Sequence, residues 1–275
     1  MQWLREQHDQ HDLVIAGYYD DPLSEAATRY WRSEEWREIR SFLPRSSAAK
    51  ALDVGAGRGI ASFALAKEGF SVTALEPDES DLVGSGAIRR LAREQCLPIE
   101  VHRHAAESLP FEDGSFDVAF GRAVLHHTRD LDATCRELYR ILKPGAAFLA
   151  VREHVVSHER DLPAFFDAHP LHRLYGGENA FPLARYASSI RGAGFRLERV
   201  LSPLRSPINF APHSLGSLRR ELASRMSLGI PPLAAVWRWL MEAPPFWAGL
   251  QPILEIADRR PGRLYSFVAR KPMRQ

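Results

Sequence analysis

A glycine-rich stretch near residue 55 constrains this chain more than any other feature. It reads Ala51-Leu-Asp-Val-Gly-Ala-Gly-Arg-Gly59, and the amphipathic stretch 60–67 follows it. An apolar run of strand type thus ends at Asp53, and three alternating glycines lead into a helix. In such a turn the bare backbone allows a nucleotide-like ligand to come close to a helix N-terminus. The stretch therefore predicts an α/β fold with a ligand site at this turn.

An acidic residue ends the next apolar run. Ser71-Val-Thr-Ala-Leu75 is followed by Glu76, about twenty residues beyond the first glycine of the turn. A carboxylate at this place can accept hydrogen bonds from both hydroxyls of a ribose. We therefore expect the glycine turn and Glu76 to hold opposite ends of one nucleoside-containing cofactor.

The spacing of the glycines distinguishes between two kinds of cofactor. A dinucleotide fingerprint, Gly-x-Gly-x-x-Gly, needs a glycine at position 60, which is Ile60 in this chain. The third glycine is Gly59 instead. The pattern Asp53-x-Gly-x-Gly-x-Gly59 resembles motif I of the class I S-adenosylmethionine (SAM) methyltransferases. In that family the turn holds the methionine half of SAM, not a pyrophosphate.

Later segments are similar to the same family in the same order. Residues 105–117 resemble its segment Asp-Ala-x-x-Leu-Pro-Phe-x-x-x-x-Phe-Asp, which lies against the adenine. Position 105 is Ala, however, where the family has the carboxylate for the adenine amino group. Residues 138–145 also fit, so the resemblance covers about residues 50–152. The cofactor-binding residues expected on this basis are Asp53, Gly55, Ala56, Gly57, Glu76, Pro77, Ala106 (through its backbone amide), Glu107 (as the nearest substitute acceptor) and Arg122.

Strands and helices alternate along the chain, which predicts a parallel sheet with helices on its faces. We expect a Rossmann-like, seven-stranded, mostly parallel sheet with flanking helices and a helical lid. Ligands of such sheets bind beyond the carboxyl ends of the strands. The expected parts are a helical cap over 1–45, a SAM-binding core over 46–152, a lid insertion over 153–181, and the rest of the core over 182–275, which includes a helical insertion at 202–262.

Histidines after the strands are the candidate bases. Methyl transfer from a sulfonium is an in-line displacement with a good leaving group, so the protein mainly aligns the reactants. A hydroxyl or protonated amine acceptor must also lose a proton, and histidine is best matched to that task near neutral pH. His154, which follows the fifth strand, is the first candidate and His126 the second. Expected contacts of the acceptor are Tyr18, Tyr30, Glu153 and Glu178.

The histidines do not predict a metal site, although the chain has 11 of them. The adjacent residues His126 and His127 should point apart on an extended loop, so we expect them not to share an ion. The two cysteines, Cys96 and Cys135, lie far apart and predict neither a disulfide nor a zinc cluster.

Composition limits the partners. A formal net charge of +2 gives no general attraction to nucleic acid or to an anionic membrane. The N-terminus lacks an apolar signal core, and no apolar run is long enough to span a bilayer. We therefore expect a cytoplasmic protein with a small-molecule substrate, while its oligomeric state cannot be inferred.

The expected activity is transfer of a methyl group from SAM to a small or medium-sized acceptor, which yields S-adenosylhomocysteine. O- or N-methylation is favoured. We expect residues 1–45, 153–181 and 202–262 to enclose the substrate, and the aromatic residues of these segments favour an acceptor with apolar or ring character. Two alternatives remain at this point. One is a SAM-binding protein without transferase activity, and the other is an NAD-dependent oxidoreductase that tolerates Ile60 in the glycine turn.

Overall fold

One mostly parallel sheet organises the chain. The computed structural model describes residues 2–45, 49–227 and 229–273. Its strands are β1 Lys50–Val54, β2 Ser71–Leu75, β3 Ile99–His102, β4 Phe116–Arg122, β5 Leu142–Val156, β6 Phe181–Pro182, β7 Arg196–Leu201 and β8 Arg263–Arg270. The order is β3-β2-β1-β4-β5-β8-β7, with the two-residue β6 paired to β5. Strand β8 runs antiparallel to both of its neighbours, β5 and β7, and the other strand pairs in the described part of the chain are parallel. The predicted Rossmann-like sheet is confirmed.

Helices cover both faces of this sheet. They are α1 Gln2–Glu6, α2 His11–Ala16, α3 Leu23–Trp31, α4 Glu34–Phe42, α5 Ile60–Lys67, α6 Ser85–Glu94, α7 Leu131–Ile141, α8 Leu162–Ala168, α9 Pro170–Tyr175, α10 Leu183–Gly192, α11 Pro207–Phe210, α12 Leu215–Met226, α13 Pro231–Glu242 and α14 Pro244–Ala257. No helix in the described part of the chain is long and apolar enough to cross a membrane.

The central strands are buried on both faces because their side chains alternate between two helical layers. Ala51 of β1 faces the cluster that contains Trp36 of α4 and Leu65 of α5. Its neighbour Leu52 faces the opposite cluster, which contains Leu138 of α7. This arrangement leaves the carboxyl ends of the parallel strands as the edge at which loops can form a site.

Strand β5 extends further than the sequence indicates and carries an irregularity near its end. Its pairing with β8 shifts register between Ala150 and Glu153, and Arg152 between them has a φ of +59°. Such a bulge redirects the side chains that follow it. Glu153 and His154 are therefore part of β5 itself, and neither follows the strand as the sequence predicts.

The helical insertion at 202–262 forms a small core of its own. Residues from α11, α12, α13 and α14 pack in one apolar cluster, which includes Phe210, Leu218, Met241 and Trp247. The insertion is tied to the sheet through Arg152, whose Nη1 donates to the carbonyl oxygens of Ile208 at 2.7 Å and Ala211 at 3.1 Å.

Candidate functional site

A cavity of about 1010 Å³ lies at the carboxyl edge of the parallel strands. It is large enough for two small molecules, since single ligand sites usually measure roughly 300–1,000 Å³. Thirteen of the fifteen residues predicted for the site line it: Asp53, Gly55, Ala56, Gly57, Glu76, Pro77, Ala106, Glu107, Arg122, Tyr18, His126, His154 and Glu178. Tyr30 and Glu153 do not.

Two of the three segments expected to enclose the substrate contribute to the cavity wall. The N-terminal segment supplies residues from Leu13 to Tyr19, and the segment 153–181 supplies His169, Leu171 and Glu178. Within the described residues, the insertion 202–262 does not line the cavity. The expectation that it encloses the substrate is therefore corrected, because α11 packs on α4 and the sheet and the other three helices pack mainly on one another.

The glycine turn has the left-handed backbone that its sequence requires. Gly55, Gly57 and Gly59 have φ values of +60°, +54° and +81°. A Cβ at Gly55 would lie 2.3 Å from Val124 Cγ2, so a side chain there would collide with the loop after β4. A Cβ at Gly57 would have no neighbour closer than 4.0 Å and would stand at the cavity wall. Gly57 therefore leaves space for a ligand, whereas Gly55 leaves space for the protein itself.

Glu76 directly contacts the glycine turn. Its Oε2 accepts a hydrogen bond of 2.7 Å from the backbone N–H of Gly57, and its Oε1 accepts one of 2.9 Å from Asp78. Burial raises the pKa of Glu76. Each carboxylate oxygen has a further lone pair, so the group can also accept from a ligand hydroxyl.

Asp53 lies beneath the turn and is almost fully buried, with 1% of its surface exposed. Its Oδ2 accepts a hydrogen bond of 2.5 Å from Ser62 Oγ at the start of α5. Burial, assisted by the nearby charge of Glu76, raises the pKa of Asp53 to about 7.

The segment after β3 forms the opposite side of the cofactor end. Ala105, Ala106 and Glu107 all line the cavity. Glu107 Oε1 accepts a hydrogen bond of 2.8 Å from the backbone N–H of Arg129. The other carboxylate oxygen of Glu107 can accept a hydrogen bond from a ligand amino group, which the side chain of Ala105 cannot do.

Arg122 lines the cavity, but its charge is engaged by a residue that sequence reasoning missed. Its Nε and Nη2 donate to the two carboxylate oxygens of Glu35 at 2.7 and 3.2 Å. Burial alone would lower the pKa of Arg122, but the Glu35 carboxylate outweighs it and raises that pKa. Glu35 is buried on α4, and no motif marks it. The pair connects the N-terminal cap to the end of β4.

Tyr30 lies behind the cavity wall rather than on it. It is fully buried, and its ring packs against Tyr18 at 5.2 Å and Trp36 at 5.5 Å between centroids. Tyr18 itself lines the cavity and has a φ of +58°. The prediction that both tyrosines contact the acceptor is therefore corrected for Tyr30, which supports Tyr18.

Arg58, inside the glycine motif, is a second residue that sequence reasoning missed. Its Nη1 donates to the carbonyl oxygens of Tyr18 and Asp20, each at 2.9 Å. Its Nη2 donates to Asp21 Oδ1 at 2.5 Å. Arg58 therefore holds the N-terminal segment against the glycine turn.

Glu153 organises the loop after β4. Its carboxylate accepts hydrogen bonds of 3.1 Å from the backbone N–H groups of Val124, Leu125 and His126. It also lies 2.6 Å from His126 Nδ1. Glu153 is fully buried and does not reach the cavity, so the expectation of acceptor contact is corrected. It is a positioning residue for His126.

Four histidines and Glu178 meet at the other end of the cavity. The Nε2 atoms of His126 and His127 each lie 3.6 Å from the same oxygen of Glu178, Oε2. The two rings are 4.3 Å apart, so the expectation that they point apart is wrong. The 3₁₀ turn Leu125–His127 brings them together. The ring of His154 lies 4.7 Å from that of His126 and 4.8 Å from that of His169.

The electrostatics of this cluster differ from those of an isolated histidine. Burial acts to lower the pKa of His126, but Glu153 and then Glu178 outweigh it and raise that pKa to about 9. Burial and the charge of His126 lower the pKa of His154 to about 3. His126 therefore holds a proton at neutral pH, and His154 is a neutral but weak base. Neither predicted base is matched to neutral pH by itself.

Comparison with known proteins agrees with this geometry. Residues 52–150 match the family model described as a methyltransferase domain. The chain is 31% identical over 208 residues to a ubiquinone/menaquinone biosynthesis C-methyltransferase of Bradyrhizobium diazoefficiens. The match covers 66% of this chain and 80% of that protein. It is 28% identical over 190 residues to an O-methyltransferase of Aspergillus sclerotiorum, and that match covers 67% of this chain and 69% of the other protein.

A solved structure shares the fold. It is the geranyl diphosphate C-methyltransferase of Streptomyces coelicolor, determined with S-adenosyl-L-homocysteine bound. The two chains have a TM-score of 0.58 and 13% sequence identity, and the match covers 86% of this chain and 74% of the other. At that identity the likeness concerns the fold alone.

Proposed function

This chain belongs to the class I SAM-dependent methyltransferases, and on that premise we propose that it methylates an oxygen or nitrogen atom of a small or medium-sized molecule. SAM is its cofactor, and S-adenosylhomocysteine is the product that remains after transfer. The relatives named as methyltransferases support methyl transfer over the two alternatives left open by the sequence, a SAM-binding protein without activity and an NAD-dependent oxidoreductase.

One observation carries the proposal. A single cavity of about 1010 Å³ contains the Gly57–Glu76 contact at one end and the cluster of His126, His154 and Glu178 at the other. A cofactor at the first end leaves room for an acceptor at the second. Because the same walls enclose both ends, the acceptor can be aligned with the sulfonium methyl group.

The cofactor placement follows from the groups at the first end. We assign the methionine half of SAM to the turn from Gly55 to Gly57, where backbone N–H groups and the absence of a Cβ allow close approach. The ribose hydroxyls are assigned to Glu76. The adenine is assigned to Ala106 and Glu107 beyond β3.

The chemistry at the second end is an in-line displacement. A lone pair of the acceptor forms a bond to the methyl carbon while the carbon–sulfur bond breaks, and its electron pair returns to sulfur as a neutral thioether. Alignment of the two reactants can supply roughly 7–11 kcal/mol of barrier lowering. A neutral hydroxyl or a protonated amine also releases one proton.

The acceptor end favours a heteroatom. The cavity wall includes the polar groups of His154 and Glu178 as well as the apolar side chains of Leu171 and Leu264. A hydroxyl or amine can hydrogen-bond with the polar groups, while an apolar or ring-shaped body packs on the leucines. Methylation at carbon does not require a hydrogen bond to the reacting atom, whereas a hydroxyl or a protonated amine needs both a hydrogen-bond partner and a proton acceptor.

The test uses SAM with a ¹³C-labelled methyl group and a panel of phenols, aliphatic alcohols, amines and carbon nucleophiles. Formation of S-adenosylhomocysteine identifies substrates, and the ¹³C chemical shift of the product identifies the methylated atom. We expect O–CH₃ or N–CH₃ products, and their loss in Glu76→Ala. A panel in which only carbon is methylated contradicts the proposed acceptor, and SAM binding without turnover on any compound contradicts the proposed transfer.

A further inference from the structure

We propose that His126, His154 and Glu178 bind one divalent transition-metal ion of the zinc type at the acceptor end of the cavity. The binding itself follows from the side chains described above. Only the role of the ion in activating the acceptor rests on the proposed function.

The three ligand atoms have nearly the spacing that the coordination shell of one ion requires. One atom from each of the three residues lies within 4.8 Å of the others, and His126 Nε2 is 3.6 Å from Glu178 Oε2. Ligands about 2.1 Å from a tetrahedral ion lie about 3.4 Å apart. Formation of the coordination shell thus needs side-chain movements of about 1 Å. Glu178 follows Gly176 and Gly177, both at positive φ, on a loop between α9 and β6.

The ring nitrogens are oriented as metal ligands require. His154 Nδ1 lies 3.2 Å from the carbonyl oxygen of Gly262, which can only accept, so Nδ1 carries the hydrogen and Nε2 keeps its lone pair. His126 Nδ1 faces the Glu153 carboxylate at 2.6 Å, so Nδ1 keeps its hydrogen, and Nε2 becomes a ligand atom when metal binding displaces the second proton of the ring. A histidine that binds a metal almost always donates its other N–H to a carboxylate or carbonyl oxygen.

Two neighbouring histidines differ in this respect. His127 Nδ1 lies 3.0 Å from the Gly177 carbonyl oxygen, and its Nε2 lies 3.6 Å from Glu178 Oε2, so His127 stands beside the ligand Glu178 but outside the proposed set of three. His169 Nδ1 accepts the backbone N–H of His172 at 3.2 Å. The neutral His169 ring therefore carries its hydrogen on Nε2 and offers no lone pair there.

The charge of the cluster favours a dication. Glu153 and Glu178 are two carboxylates with exposed side-chain fractions of 0% and 12%. In the described part of the chain, their ion-pair partners are histidines, and no lysine or arginine lies within 4.0 Å of either. A divalent ion bound by two neutral imidazoles would balance both negative charges in this buried place.

The site is of the open kind. Three protein ligands leave a fourth position toward the cavity, as in catalytic zinc sites. An acceptor hydroxyl bound there would lose its proton to solvent more readily, because the cation stabilises the alkoxide or phenolate. That oxygen would then attack the methyl carbon of SAM, and the electron pair of the broken bond would go to sulfur.

The test is a metal titration of the full chain after treatment with EDTA and removal of the chelator. ZnCl₂ binding is followed by calorimetry, and CoCl₂ binding by the visible absorption that four-coordinate Co²⁺ produces. We expect one ion per chain. His126→Ala and Glu178→Gln should each weaken Zn²⁺ binding at least tenfold and lower the Co²⁺ absorption. Glu153→Gln should weaken Zn²⁺ binding by about 10–100-fold, through the orientation of His126.

His104→Ala is the matched control, because His104 lines the same cavity but lies after β3. Its Zn²⁺ affinity should stay within twofold of the wild-type value. Every variant is also titrated with S-adenosylhomocysteine, so that a variant that has lost its fold is recognised. If the wild type binds S-adenosylhomocysteine but neither Zn²⁺ nor Co²⁺, the cluster is an ion-pair network and the metal proposal is overturned, while the proposed function stands. Equal losses in His104→Ala also overturn it.

Discussion

The carboxylate of Glu76 accepts a hydrogen bond of 2.7 Å from the backbone N–H of Gly57. The residues lie 19 positions apart, at the ends of two adjacent parallel strands. This contact brings the two predicted cofactor anchors to the same edge of the sheet. It also means that Glu76 both shapes the turn and offers acceptors to a ribose.

Replacement of Glu76 by alanine should weaken SAM binding by roughly 1.5–3 kcal/mol, because hydrogen bonds to a charged acceptor are lost. Calorimetric titration with SAM and with S-adenosylhomocysteine measures the change. Glu79→Ala is the control, since Glu79 is largely exposed and forms a surface ion pair with Arg103. Equal affinities of Glu76→Ala and wild type would refute the ribose assignment.

Alanine at Gly55 and at Gly57 should have different consequences. At Gly55 the added Cβ meets Val124, so we expect a loss of about 1–3 kcal/mol in the free energy of unfolding from this collision, in addition to the backbone cost of its positive φ. At Gly57 the Cβ meets no protein atom closer than 4.0 Å, so the cost to folding comes from the backbone, about 1–2 kcal/mol. SAM affinity should fall at least tenfold in Gly57→Ala, because the Cβ stands where the ligand binds. Urea unfolding and SAM titration separate the effects, and normal SAM affinity in Gly57→Ala would exclude close ligand approach there.

The buried ion pair of Glu35 and Arg122 should contribute strongly to the attachment of the cap. Glu35→Gln leaves the guanidinium without its charge partner, which typically costs about 3–5 kcal/mol for a buried pair. Glu34→Gln, one residue earlier in the first turn of α4 and exposed, should change the free energy of unfolding by less than about 0.5 kcal/mol. Urea unfolding of both variants checks this. Similar stabilities would show that the pair does not hold the cap in solution.

Stability in the absence of SAM should depend on pH through Asp53. The pKa of Asp53 is about 7 in the folded chain, against an ordinary value of 3.8, because burial disfavours the charged form. The folded state therefore retains a proton that the unfolded state releases. The contribution of Asp53 is full below pH 3.8 and is lost as pH rises through about 7, at up to about 1.4 kcal/mol per pH unit.

Asp53→Asn removes this titration, so its unfolding free energy should decline less than that of the wild type between pH 4 and 7. Thermal or urea unfolding across this range measures the difference in slope. The exposed Asp12→Asn should follow the wild-type curve. Parallel curves for Asp53→Asn and wild type would show that Asp53 titrates normally.

Replacement of His154 by alanine should lower turnover at least tenfold and leave SAM affinity nearly unchanged. The reason is its place at the acceptor end of the cavity, where its Nε2 keeps a lone pair that can bind a metal ion or accept a hydrogen bond from the acceptor. Steady-state kinetics with an identified acceptor measures turnover, and titration with SAM measures the affinity for the cofactor. His158→Ala, on the exposed continuation of the chain, is the control. Equal turnover in His154→Ala would remove His154 from the chemistry.

The sequence by itself determined the cofactor end of this protein. The glycines at 55, 57 and 59 predict positive φ angles, and the pattern of apolar residues predicts strands, because both are properties of short segments. Once the strands are parallel and adjacent, Glu76 must lie beside the turn. These features could be predicted since each depends on few neighbours along the chain.

Only the tertiary structure decided the acceptor end. Glu153 was expected to follow a strand and contact the acceptor, but the bulge at Arg152 turns it toward His126, 27 residues away. Glu35 and Arg122 lie 87 positions apart, and their pairing depends on how the cap packs. Likewise, His126 and His127 converge on Glu178 because a 3₁₀ turn and a loop from a different part of the chain meet there. Side-chain direction after an irregular backbone, and charge pairing across separate elements, arise only when the whole chain is packed.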